Sequence, residues 1–172
     1  NPSKATSCRF KSGSGHQFNI SMNKLYNKFM YSALQAAENA GENGEVPIGC
    51  VIVHNNKIVA SAGNTCIKDN SPIRHAEINA IEIACKKAKN YRLIDHVMFV
   101  TLEPCHMCCM AIVHARIKKV YFSLKEPKSG AVVTNDNFFD HDYLNHKVDY
   151  EHGSFEIDSK KLLQNFFIKK RS

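Results

Sequence analysis

Two short stretches carry residue types that can do chemistry together. "RHAEINA" (74–80) places His75 two residues before Glu77, just after the turn cluster "KDNSP". "LEPCHMCC" (102–109) places Cys105 and Cys108 three residues apart, directly after Pro104. Thiolate and imidazole are zinc ligands, with Zn–S about 2.3 Å and Zn–N about 2.0–2.1 Å, and the C-x-x-C spacing permits two ligands from one turn of helix. Three protein ligands, His75, Cys105 and Cys108, leave a fourth position open, the pattern of a catalytic rather than a structural zinc. Glu77 then has a use: a carboxylate beside the centre can take a proton from water and hand it to a substrate nitrogen.

Spacing leaves alternatives. Cys105 and Cys109 are also one turn apart, and His106 is within reach of the same ion. A closed site with Cys109 or His106 as fourth ligand would be structural, but it leaves Glu77 without a role. "HAE" alone is common and a lone C-x-x-C is often redox-active. Their occurrence in this order, each at a strand-to-helix junction, points to one centre.

These residues must be positioned by elements the sequence also announces. Apolar residues at Met22, Leu25, Tyr26, Phe29, Met30, Ala33, Leu34 and Ala37 lie on one face of a helix that Gly41 stops. The β-branched runs 48–54 and 57–63 flank Asn55-Asn56, a hairpin turn. The pattern predicts a helix over about 74–88, a strand at 96–102, a helix over about 105–115 with Pro104 at its first turn, and a strand at 118–124. The stretch 125–146 is long and irregular. Residues 147–153 suit a further strand, and 158–172 a last helix with Leu162, Leu163, Phe166 and Phe167 on its packing side and a basic end. Alternating strands and helices predict a sheet covered on both faces. The thiols and His75 fall at helix starts, where the positive end of the helix dipole favours thiolate.

The chain has 172 residues, enough for one domain with a sizeable core, and a formal net charge of +7, which suits an anionic partner such as nucleic acid. No apolar run approaches the ~20 residues of a membrane helix. Seven cysteines, two of them adjacent, fit a reducing compartment better than a disulfide framework. Residues 1–21, rich in Ser and Gly and free of acid, read as a leader outside the core fold, vector-derived or left from an organellar targeting segment; 22–172 reads as one domain.

"HAE" followed by "PCHMC" resembles the H-x-E…P-C-x-x-C signature of the zinc deaminases of the cytidine deaminase superfamily. "VPIGCVIVHNNKIVASAGN", "NYRLID", "VTLEPCHMC", "SGA" and "LLQNFFIKKR" narrow the likeness to bacterial tRNA adenosine deaminases, from about residue 22 onward. The resemblance implies an α/β fold, three-layer α/β/α with a five-stranded mixed sheet, cytidine deaminase-like. It implies one Zn2+ per chain on His75, Cys105 and Cys108, with Glu77 as proton shuttle. Asn64 would hydrogen-bond the flipped base and Ile48 would wall its pocket. The implied reaction is adenosine to inosine at the wobble position, by a cytoplasmic homodimer acting on a tRNA anticodon stem-loop, with no membrane. Two alternatives remain: a deaminase of a free base or nucleotide, and a non-catalytic zinc module that binds RNA. The chain departs from the pattern at Ile73 and Arg74, where relatives carry small residues, at Cys109, and in a tail of Lys169, Lys170 and Arg171 rather than mostly Arg.

Overall fold

The computed structural model describes residues 15–171, and side chains from residue 24 onward. Helix α1 spans Gly15–Glu42; strands β1, Gly49–His54, and β2, Lys57–Gly63, follow as a hairpin. Then come α2 (Ala76–Ala88), β3 (Val97–Leu102), α3 (His106–His114), β4 (Lys119–Leu124), a short 3-10 turn (Phe138–Asp140), β5 (Asp149–His152) and α4 (Glu156–Arg171). The sheet order is β2-β1-β3-β4-β5, antiparallel from β2 to β3 and parallel from β3 to β5. This is the expected mixed five-stranded sheet.

The predicted turn at Asn55-Asn56 forms with both residues at positive φ, 49° and 58°, as a type I′ hairpin requires. Strand β1 is apolar and buried up to Val53 because both of its faces are covered. Cys50 and Ile52 point into one core with Met98, Val100, Val120 and Phe122, under α2 and α3. Val51 and Val53 point the other way, into a core with Phe99 and the α1 residues Phe29, Met30 and Ala33. Ala76, Ala80 and Ala84, spaced by four along α2, give that helix a smooth buried face. The helix therefore lies close on β1 and β2 and also meets α3. A Cβ on Gly49 would collide with the α1 backbone at Ala33 and Ala37, so only glycine lets β1 and α1 meet so closely.

Two boundaries differ from expectation. α1 begins at Gly15, seven residues before Met22, because no Pro interrupts 16–40 and one continuous helix results. Residues 15–21 of the expected leader therefore belong to α1, and the rest of that leader, 1–14, lies outside the described residues. α4 is anchored by its apolar side only in part. Its buried residue is Ser159, whose hydroxyl donates to Ser123 Oγ at 2.8 Å. Leu162, Leu163 and Phe166 are half-buried and Phe167 is 45% exposed, where α4 packs against β4, β3 and α1. Among the described residues, no helix is long and apolar enough to cross a membrane.

Candidate active site

His75 and Cys105 occupy equivalent places: each is the residue before a helix, in extended conformation, with no side-chain bond to its own helix start. Both side chains are therefore free to turn toward each other. The parallel pairing of β3 and β4 and the close seat of α2 bring the two helix starts to one end of the sheet. Cys108 follows on the first turn of α3 and is buried.

The three meet. His75 Nδ1 lies 3.7 Å from Cys105 Sγ and 3.5 Å from Cys108 Sγ. All three ligand atoms fall within 4.8 Å of one another, and no other His, Cys, Asp or Glu group among the described residues does so. A tetrahedral ion with bonds of about 2.0–2.3 Å sets its ligand atoms roughly 3.5–3.8 Å apart. The donor set and its spacing fit zinc. The Cys105 thiol is pulled down to about 4, by the hydrogen bond from Cys108 and then by His75, whereas Cys108, which donates that bond and is more buried, is pushed up. His75 is raised by its bond to Cys105. A divalent ion ionises both thiols.

Glu77, on the first turn of α2, is 4% exposed and faces this cluster. Burial raises its carboxyl above the ordinary range, ahead of the opposing pull of local backbone and His75. A buried carboxyl poised toward neutrality, next to a metal cluster, is suited to proton transfer.

Asn64 and Ile48, both expected in the pocket, sit side by side: the Asn64 N–H donates to Ile48 O at 3.2 Å. Asn64 Oδ1 accepts the Ala76 N–H at 2.8 Å and so fixes the start of α2 between His75 and Glu77. Its amide NH2 is what remains for a ligand. Ile48 is half-buried against the core.

The competing ligands turn away. Cys109 is fully buried in the core, with Sγ 3.7 Å from Pro104 O, and burial raises its thiol. His106 faces outward, its Nε2 3.1 Å from Asp136 Oδ2. Arg74 does not enter the pocket: its guanidinium pairs with Glu82 at 2.5 Å and lies 3.8 Å from Asp69. Ile73 is 54% exposed.

Two residues that shape the site were not singled out in the sequence. Glu103, buried at the end of β3, accepts the N–H groups of Glu126 (3.0 Å), Val133 (2.8 Å) and Thr134 (2.9 Å), together with the Thr134 hydroxyl. Burial pushes its carboxyl up, but these four bonds outweigh it and hold the group ionised, below the usual range. Glu103 thereby ties the loop after β4 to the segment leading into Cys105; a Cβ on Gly130 would strike its carboxylate. Glu45, also buried, accepts the N–H groups of Ile67 and Lys68 at 3.1 and 2.8 Å and steadies the loop leading to His75. The sequence signal was an acid beside an apolar strand, in "TLEPC" and "GEVPIG".

Glu103→Gln turns one acceptor into an NH2 donor facing backbone donors. Each buried donor left unpaired costs about 1–3 kcal/mol. The variant is expected to unfold at lower temperature, with faster hydrogen–deuterium exchange at Val133 and Thr134. Unchanged protection there would show that the loop holds without this carboxylate.

A three-layer fold with an open His-Cys-Cys cluster and a buried carboxylate defines a zinc-dependent deaminase domain, and the family model for the cytidine and deoxycytidylate deaminase zinc-binding region matches residues 23–124. A tRNA-specific adenosine deaminase from Agrobacterium fabrum is 41% identical over 143 residues, 83% of this chain and 94% of the relative. A solved structure from a study of A-to-I editing by tRNA:A34 deaminases at the wobble position superposes with a TM-score of 0.77 at 40% identity, covering 79% of this chain and 99% of that one. The guanine deaminase of Nitrosomonas europaea shares the fold at 15% identity, with a TM-score of 0.72 over 81% and 83% of the two chains. The chain belongs to the family of tRNA-specific adenosine deaminases.

Proposed function

We propose that this protein converts adenosine to inosine at the wobble position of a tRNA anticodon, by zinc-dependent hydrolysis that releases ammonia. The observation that carries the proposal is the cluster of His75, Cys105 and Cys108 with Glu77 buried against it. His75, Cys105 and Cys108 would hold the ion. When bound, zinc supplies the Lewis acidity that makes water a nucleophile near neutral pH, lowering its pKa toward about 7.

The chain's own residues do the rest. Asn64, its oxygen committed to Ala76, offers the amide NH2 to a ring acceptor of the base and so orients it. Ile48 packs against the base plane. The Glu77 carboxylate takes a proton from the water that adds to C6 of adenine and delivers it to N1. Glu77 then takes the proton of the hydroxyl added at C6 and gives it to the departing N6 amine; the C6–N6 bond breaks, and water plus adenosine become inosine plus ammonia. The base must leave its stack to reach the cluster, and an anticodon loop offers one partly unstacked already.

RNA as substrate is supported by the net charge of +7 and by the basic end of α4, where Lys169, Lys170 and Arg171 are exposed and have no carboxylate partner among the described residues. The proposal includes a homodimer, supported by exposed apolar surface on the loop leading to His75, Ile67 and Ile73, that a second copy would cover. It includes a cytoplasmic location, supported by six free cysteines among the described residues. The test compares ammonia release from an anticodon stem-loop with release from free adenosine, guanine and cytosine. The stem-loop should react and the free compounds be nearly inert.

A further inference from the structure

The segment after β4, irregular in sequence, builds an ordered cluster of rings at the edge of the candidate metal centre. His106 directly follows Cys105 and its side chain is 58% exposed. Asp136 holds two histidines at once: Oδ2 lies 3.1 Å from His106 Nε2 and Oδ1 lies 3.1 Å from His141 Nε2. The buried ring of Phe138 stands edge-on to both imidazoles, at 5.9 Å and 82° to His106 and at 6.2 Å and 88° to His141. Tyr143 lies nearly flat on His141, 5.1 Å away and tilted by 20°. One face of Tyr143 is thus backed by a fixed ring, yet the residue is 68% exposed, so its other face is open to solvent.

The charged side chains nearby are mostly carboxylates. Asp140 accepts the Tyr150 hydroxyl at 3.1 Å and Asp142 lies 3.9 Å from Lys147. The patch offers a ring face rather than a free cation, which is chemistry for a nucleobase and not for a phosphate. Rings of this kind, rigid and outward-facing, are what unpaired bases stack on. We propose that Tyr143, backed by His141 and held through Asp136 to His106, is a stacking subsite for an unpaired RNA base next to the reacting adenosine. The subsite rests on the RNA reading above and deepens it. Contact runs from Tyr143 through His141 and Asp136 to His106, the residue after Cys105, and this places the subsite on the same side of the fold as the metal centre's α3 ligands.

The test uses the zinc-loaded full chain and anticodon stem-loops that carry 2-aminopurine at each unpaired position in turn. Its fluorescence is quenched when it stacks. With the unaltered protein, one position next to the reacting adenosine should be quenched on binding. Loss of base–aromatic stacking weakens binding by roughly 5- to 150-fold. Tyr143→Ala should abolish the quench and raise KM within that range, with the change falling on KM rather than kcat, and Tyr143→Phe should restore both. A Tyr143→Ala variant with unaltered quench and KM would overturn the subsite while leaving the deaminase reading intact. So would a Tyr143→Ala variant that changes its oligomeric state in sedimentation, since the ring would then serve a contact between protein copies. If the unaltered protein leaves every stem-loop unreacted and turns over a free base, the RNA reading falls and the subsite with it.

Discussion

Glu77→Ala should retain zinc at the level of the unaltered protein and lose turnover by about 10²–10⁴-fold, the usual contribution of general acid–base catalysis. The separation follows from position. Glu77 is buried against the cluster but is not one of the three side chains whose ligand atoms converge, so its removal takes the proton carrier and leaves the metal. The effect should lie toward the upper end of the range, because in the proposed reaction one carboxylate serves proton transfers to both N1 and N6. Glu77→Gln is the sharper variant: it keeps size and polarity, relieves the cost of burying an acid, and still cannot carry the proton. Equal loss in both variants, with zinc content unchanged and no loss of thermal stability in Glu77→Gln, identifies the missing function as proton transfer. Near-normal ammonia release by either would remove Glu77 from the mechanism.

The second large effect separates two neighbouring cysteines. Cys108→Ala should lose both zinc and activity, whereas Cys109→Ala should keep its zinc and most of its turnover. Cys108 Sγ is 3.5 Å from His75 Nδ1, and Cys109 Sγ is directed to Pro104 O inside the core. Cys109→Ala should show only the ordinary destabilisation of a point change in a core, on the order of 1 kcal/mol. Metal analysis of the two purified variants reads the difference directly. Zinc loss from the Cys109 variant would mean that the ligand set differs from the one the geometry gives.

How much of this could be read in advance depends on where each signal lies along the chain. The hairpin at Asn55-Asn56, the apolar stripe of α1 and the two ligand segments were legible because their information is local: a period, a turn pair, a ligand spacing. The choice of Cys108 over Cys109 was open on spacing; both are buried, and the direction of the sulfur separates them, toward His75 for Cys108 and toward the Pro104 carbonyl for Cys109. Glu45 and Glu103 were not legible. Each is a charged residue near a strand, and its role is set by backbone amides 22–31 residues away, which no local pattern announces. The rings of His106, Phe138, His141 and Tyr143 escaped for the same reason, since one Asp136 side chain joins two segments 30 residues apart. The packing of α4 was legible only in part: an apolar stripe shows that a face can be buried, and here Ser159 is the buried residue, Leu162, Leu163 and Phe166 are half-buried and Phe167 is exposed.

The central claim is that the His75-Cys105-Cys108 centre and Glu77 act on adenosine within RNA. The most direct measurement incubates the zinc-loaded protein with a set of tRNA transcripts and reads adenosine-to-inosine conversion at every position by sequencing. Inosine should accumulate at the first anticodon position, and nowhere else, of a tRNA that carries adenosine there, and it should not form with Glu77→Ala. Absence of inosine from every transcript, under conditions where free guanine, cytosine or a mononucleotide releases ammonia efficiently, would contradict the account.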